Sequence, residues 1–504
     1  MAPSTTQASG KANGHRDANG NGSSHSEGPL PVTKLLAAFI SRASPSDLKA
    51  PITAKVKEVL LDTLGCAAGA LQHAESTPSI LAAITAFQGP SITKSTPGTC
   101  TVIGQGCPKH LPHYAGLLNA ALGHSLDFDD TFAEGTLHAG VTAIPAALAA
   151  GEALASAGKP PSTREVMLAI AVGYEVTCRL GRELGFAAYS RGFHNTSTCG
   201  VFGAIAALAV LRKLDAPRIE MAFGLAGSKA AGSMQYLSNG SWNKRLHPGF
   251  AVHDAFLCVQ LAEAGVRGAD AALEGKNGFL HAYSPSQEQD LRRLVSGLGV
   301  LDDVDGRARE WIFLRSALKP YPACRMTHGF IEMCGAIHTA LRPVRPQDVE
   351  RIELTMSPAN FILIGDPTPN KRHPANAIDA QFSAYFQVAH SLLYGAKTGD
   401  MSAYGRLEDE GIHELTEKID VRTDESMSAF AARLTVAWAN GEVLEREQLY
   451  PLGEMEHPFT TDKVEEKFLA VSGGVWGGAR SRRIVEVIER IEEAELMSLI
   501  ELLR

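Results

Sequence analysis

The sequence predicts a mainly α protein, a large all-helical domain carrying an inserted, smaller α/β lid domain. Ala-rich segments between residues 31 and 299 are apolar nearly all round, as the central helices of a bundle are. Near residue 300 the texture changes to alternating polar and apolar positions, the period of half-buried strands. The last residues return to helical spacing, with Ile484, Ile488 and Ile491 on one face beside Glu and Arg. The chain therefore leaves the helical domain, builds the lid and comes back.

Residues 1–29 are rich in Gly, Ser, Asn and Ala and poor in large apolar groups, which predicts a disordered tail. The tail has no apolar h-region and is not Arg-rich, so a cytoplasmic location is expected, with a mitochondrial one left open. The helical domain is placed at residues 30–316. Ser162-Thr163-Arg164-Glu165 is a capping box, and the run from Val166 to Leu180 behind it is apolar nearly all round. Ala143–Ala157 and Val201–Leu211 share that character, and the second is shorter than the roughly 20 residues that cross a bilayer. The lid is placed at residues 317–456. Arg351–Met356 alternates as a strand, and Ala377–Leu393 reads as a helix. Ala432–Trp438 and Glu442–Tyr450 flank Asn440-Gly441, a hairpin turn signal. Residues 457–504 are expected to be helices returning to the helical domain. Gly473-Gly474-Val475-Trp476-Gly477-Gly478 lacks the Lys-Ser/Thr ending of a phosphate loop and reads as a flexible connector.

Composition excludes several function classes. The 504 residues carry 47 basic and 55 acidic groups, a formal charge of −8 that suggests neither nucleic acid nor an anionic membrane as partner. An acidic chain that binds an acidic ligand must gather its cations locally. The 8 cysteines are scattered, with no C-x-x-C pair, so neither a zinc site nor an aconitase-type iron–sulfur cluster is indicated. No G-x-S-x-G elbow appears, which leaves a serine hydrolase without support.

Four segments stand out as able to carry chemistry. Asp127-Phe128-Asp129-Asp130-Thr131, followed by His138, places mutually repelling carboxylates beside an apolar helix. It reads as a divalent-cation site, as a carboxylate orienting an imidazole, or as a solvated loop. Gly192-Phe193-His194-Asn195-Thr196-Ser197-Thr198 leads into the most apolar helix, where His194 is either an acid/base group or a capping residue. Lys244-Arg245-Leu246-His247 is a carboxylate clamp or a solvated basic turn. Lys319-Pro320-Tyr321-Pro322-Ala323-Cys324-Arg325 sits at the domain boundary, its prolines fixing the directions of Lys319 and Arg325 or simply stiffening a linker.

In this order, together with Asp379-Ala380-Gln381-Phe382-Ser383, the segments resemble the MmgE/PrpD family, which includes 2-methylcitrate dehydratase and cis-aconitate decarboxylase. The resemblance runs from about Val32 to the C-terminus. It implies an active site in the cleft between the domains, a homodimer, and neither cofactor nor metal. It also implies functional roles for Asp127, Thr131, His138, His194, Lys244 and Lys319. His247 and Arg325 are added as carboxylate contacts. Against the animal itaconate-forming enzymes of the family, Cys324 stands at a histidine position, Phe361 at a tyrosine position, and the Asp127–His138 gap is longer by one residue. The expected activity is acid/base dehydration of a 2-methylcitrate- or alkylcitrate-like acid, with His138 and His194 dividing the proton transfers and Asp127 orienting one of them. Decarboxylation of a cis-aconitate-like acid is the alternative. An isomerase using the same proton abstraction and an inactive helical scaffold are further readings. The expected partner is a small polycarboxylate, with no nucleic acid and no membrane.

Overall fold

The computed structural model describes residues 30–88, 100–285, 289–300, 310–341 and 344–504. The expected tail at 1–29 lies outside the described residues. The protein is mainly α. Helices α1 (Val32–Arg42), α2 (Ala50–His73), α3 (Thr77–Gln88), α4 (Pro112–His124), α5 (Gly140–Ser156), α6 (Thr163–Ser190), α7 (Asn195–Arg212), α8 (Ala216–Ala226) and α9 (Asn243–Glu263) build the helical domain. A small antiparallel pair, β1 (Cys100–Val102) and β2 (Gln105–His110), sits at its edge.

The capping box forms as read. The Ser162 hydroxyl accepts from the Glu165 N–H, and the Glu165 carboxylate accepts from the Ser162 N–H at 2.8 Å. Helix α7 is longer than the expected stretch, 18 residues, yet it is buried inside the fold and is a core helix. It packs against α5, α6 and α9. The α6–α7 crossing is close because Gly173 faces Gly203; a Cβ on Gly203 would lie 2.5 Å from the Gly173 carbonyl oxygen.

The lid is a four-stranded sheet in the order β4 (Ile419–Thr423), β3 (Val349–Met356), β5 (Ala432–Trp438) and β6 (Val443–Gln448). β3 runs parallel to β4 and antiparallel to β5, so Leu354 pairs with Val421 on one side and Leu434 on the other. Strict alternation of buried and half-buried residues along β5 shows why its sequence was readable. Helices His328–Ala340 and Ala384–Tyr394 pack on each other, and the lid has its own core, including Phe330, Cys334, Leu354, Phe386 and Val436. The single helix expected over Ala377–Leu393 is two, Ala377–Gln381 and Ala384–Tyr394. Ser383 starts the second by accepting from the Phe386 N–H at 2.9 Å, a cap that competes with helix continuation.

The return helix, Thr461–Glu489, lies against α2 and contributes Phe468, Val471 and Ile484 to the core of the helical domain. The expected connector at 473–478 lies inside this helix, which breaks only at Gly477, φ 73°. Buried Val471, Trp476 and Ile484 on both sides hold the glycines in register. Between the domains, Thr131 and Ala317 exchange backbone hydrogen bonds of 2.8 Å in each direction.

Candidate active site

Helix α4 ends at His124, and residues 125–131 turn the chain back toward α5. This turn is not the solvated loop that its three acids suggested: Asp129 and Asp130 are fully buried and Asp127 nearly so. Asp127 adopts φ 50°, a left-handed conformation that costs a non-glycine residue about 1–3 kcal/mol. Three successive carbonyls hold it there. Leu126 O accepts from Gln381 Nε2 at 2.9 Å, Asp127 O from Lys319 Nζ at 2.7 Å, and Phe128 O from Lys467 Nζ at 2.6 Å. The donors come from the lid, the domain crossover and the return helix.

Two lysines converge on the Asp127 side chain. Lys244 Nζ lies 2.6 Å and Lys319 Nζ 2.9 Å from the same Oδ1. Burial would raise this carboxyl, but Lys244 and Lys319, then His138, outweigh it and hold it well below the usual carboxylate range. The segment 244–249 is therefore not a solvated basic turn. Lys244, Arg245 and His247 are buried in the first turns of α9, and Lys244 Nζ also stands 5.2 Å over the Phe382 ring of the lid.

Beside this cation pair runs a row of imidazoles. His138, His124, His194 and His247 follow one another with ring centroids 4.7, 5.5 and 5.2 Å apart. His194 is the N-cap residue of α7, but its side chain caps nothing; its Nδ1 meets His247 Nδ1 at 3.0 Å. Burial, reinforced by the neighbouring imidazoles and Lys244, pushes His194 well below its ordinary value. Burial likewise brings His124 and His247 down to about 4. These three rings are neutral near pH 7. Because Asp129 Oδ2 can only accept, His124 Nδ1–H donates to it at 2.8 Å. His138 Nδ1 lies 3.1 Å from the same oxygen, without good hydrogen-bond alignment, while its Nε2 faces Asp127 Oδ1 at 3.9 Å. Asp129, rather than Asp127, is thus the carboxylate placed to orient the histidines.

Asp130 points the other way. Its Oδ1 accepts from the Gly140 N–H at 3.1 Å, with the Tyr174 hydroxyl adjacent. Burial, together with the negative charges of Asp129 and Asp62, pushes its carboxyl up to about 8. Asp129 and Asp130 diverge and do not form the paired cation site that their adjacency allowed.

The fold brings Asp127, His138, His194, Lys244, His247 and Lys319 together. Thr131 borders the group through its backbone bridge to Ala317. Arg325 stands apart: its guanidinium pairs with Glu454 and donates to Leu318 O at 2.8 Å, so it ties the two chain crossings instead of facing the lysines. Cys324 is near Asp127, but burial pushes its thiol up to about 11, and Cys199 is raised further by the same cause. Both are inert neutral thiols near pH 7. His124 and Lys467 were not singled out from the sequence, and Gln381 entered only as a member of the Asp379–Ser383 segment, with no role given. His124 offered no pattern beyond its place two residues before Leu126, and the other two acquire meaning only through contacts made across the fold.

Among the described residues, His124, Asp129 and His138 present ligand-type atoms within 4.8 Å of one another. Two imidazoles and a carboxylate match a three-ligand zinc-type set in kind and number. The same Asp129 oxygen already serves both rings, so metal binding and histidine orientation are alternative uses of it.

Fold and site together define a helical scaffold with a lid, closing over a buried cluster of acid/base groups and ammonium ions. The chain belongs to the MmgE/PrpD family: the model of its N-terminal domain matches residues 34–292, and that of its C-terminal domain residues 321–493. Among curated relatives, a cis-aconitate decarboxylase of Aspergillus terreus is 26% identical over 495 residues, covering 94% of this chain and 96% of the relative. The human cis-aconitate decarboxylase is 25% identical over 476 residues, with 92% of each chain covered.

Proposed function

We propose that the protein is a lyase that decarboxylates a cis-aconitate-like unsaturated tricarboxylate. The observation that carries this reading is the meeting of Lys244 and Lys319 on one carboxylate beside a row of histidines in a largely buried site. Asp127 is their counter-ion until a substrate carboxylate competes for them. In a low-dielectric site two ammonium groups stabilise charge growing on a substrate carboxylate far better than they would in water. The bond to the departing carboxylate breaks, and its electron pair forms a new alkene with the central carbon. The former alkene pair takes a proton from a histidine, for which His138 is best placed because Asp129 lies on its Nδ1 side and Nε2 faces Asp127, the carboxylate that the two lysines hold. Decarboxylation is favoured over the expected dehydration because the relatives above carry the decarboxylase name along nearly their whole length. The cluster is nearly closed to solvent, so the lid must part from the helical domain to admit the substrate.

Dehydration of an alkylcitrate-like acid is the second reading. It is favoured by Cys324, a neutral thiol at the position where the resemblance gives the animal itaconate-forming enzymes an imidazole. Incubation with cis-aconitate, citrate and 2-methylcitrate, following CO₂ and alkene absorbance, separates the two. CO₂ with an itaconate-type product from cis-aconitate is expected. Alkene without CO₂ from a citrate would replace the first reading by the second, and no turnover of any of them would leave a binding scaffold. We also propose that the protein is a homodimer. Exposed Phe250 and Leu257 on α9 flank His253, which stacks on Tyr114, and Phe87 lies edge-on to Tyr114, giving a continuous aromatic face. Light scattering should report a dimer that Leu257→Asp converts to a monomer.

A further inference from the structure

Lys467 follows Glu465 and Glu466 on the return helix but shares the buried face of Val464, Phe468 and Val471, and it is itself 1% exposed. Its ammonium reaches into the helical domain, 2.5 Å from Asp62 Oδ1 on α2 and 2.6 Å from Phe128 O, and stands 3.7 Å over the Phe128 ring. A buried ion pair contributes about as much stability as a well-packed apolar pair of the same volume, so holding the helix down does not require these charges. What an ammonium does here that a methionine cannot is donate to the Phe128 carbonyl. That carbonyl belongs to the residue between Asp127, which faces the lysines, and Asp129, which faces the histidines. The orientation of this one peptide sets the directions of both carboxylates. Asp127 is left-handed, so the turn gains by relaxing once its outside donors are removed. We propose that Lys467 is a positioning residue: it fixes the Phe128 peptide so that Asp129 meets His124 and His138 while Asp127 meets Lys244 and Lys319.

Only the turnover readout of this proposal rests on the lyase reading. The primary variant is the double change Lys467→Met with Asp62→Val, which removes both buried charges with little change in volume. It is compared with Lys467→Arg, which keeps the charge opposite Asp62 but presents a planar fork. For the double variant, a near-native Tm is expected with kcat lowered roughly 10²-fold, the size of effect that a misplacement of about 1 Å produces. KM should change little and the pH–rate profile should shift. Lys467→Arg should fall between the two. A folded double variant with native kcat and pH profile would overturn the proposal. If the double variant does not fold, Lys467→Arg with native kcat overturns it. If the wild-type protein turns over none of the acids, the lyase reading fails separately. Histidine ring NMR then decides for Lys467: the His124 and His138 ring cross-peaks should move in the variants, and unmoved peaks would overturn the assignment.

Discussion

Asp127 and Asp130 occupy the two ends of one turn, both buried, and they end in opposite charge states. Asp127 faces two ammonium groups and stays ionised far below the usual range, whereas Asp130 faces a hydroxyl, a backbone N–H and two other acids and keeps its proton up to about 8. The residue type is the same and so is the burial. What differs is which elements close over each side: the crossover and α9 bring cations to one, while α5 and α6 bring none to the other. A carboxylate's role here is assigned by its visitors, and the cationic end is where an organic polyanion can be handled.

The sharpest way to break this comparison is to act on the cationic end. His138→Ala should lower kcat by about 10²–10⁴-fold, whereas Tyr174→Phe, beside Asp130, should cost far less. Equal effects measured in one steady-state assay would erase the distinction between the two ends. Lys319→Met leaves Asp127 with a single cation and removes the donor to its carbonyl, so urea unfolding should show a loss of about 3–5 kcal/mol. A loss below about 1 kcal/mol would mean that Lys244 suffices alone.

At the other end the pH dependence has a definite sign. Asp130 is raised from an ordinary value of 3.8 to about 8, so the folded protein binds the extra proton across that interval. Its contribution to stability is complete below the lower value and is lost as pH rises through the higher one, at about 1.4 kcal/mol per pH unit. Asp130→Asn should flatten the fall in Tm between pH 6 and 8. An unchanged slope would show that Asp130 ionises at ordinary pH. A smaller effect concerns the histidines. His124, His194 and His247 are depressed by burial and nearby cations, so a bound polyanion should raise them and draw in a fraction of a proton at pH 7. Calorimetry of cis-aconitate binding in two buffers of different ionisation enthalpy would detect that uptake, and proton release would contradict it. Smallest of all is the expected effect of chelation. EDTA should leave turnover intact, and a loss restored by zinc would reassign His124, Asp129 and His138 as ligands.

Most of the fold was legible because its signals were local. Ser162 and Glu165 cap α6 through contacts three residues apart, Asn440-Gly441 turns the hairpin, and β5 alternates because one face is half-exposed. The site was legible in part. Asp127, His138, His194, Lys244 and Lys319 sat in dense polar motifs that an apolar bundle would not otherwise contain. Asp129 as the histidine orienter was hidden by its neighbours, since a run of acids does not reveal which member faces inward on which side. Arg325 went astray because its partner, Glu454, comes from the far crossing of the chain. Lys467 was missed because a lysine on the face of Val464 and Val471 reads only as an interruption of an apolar stripe until the fold brings Asp62 to it.

The pair formed by Asp62 and Lys467 joins residues 405 positions apart, and through it the far end of the chain reaches the turn laid down in its first third. A growing polypeptide on the ribosome would carry every imidazole of the row long before it could seat them. Competence would then arrive late in synthesis, with the docking of the return helix, and clipping that helix should silence the protein and uncover the face of α2 that it packs on.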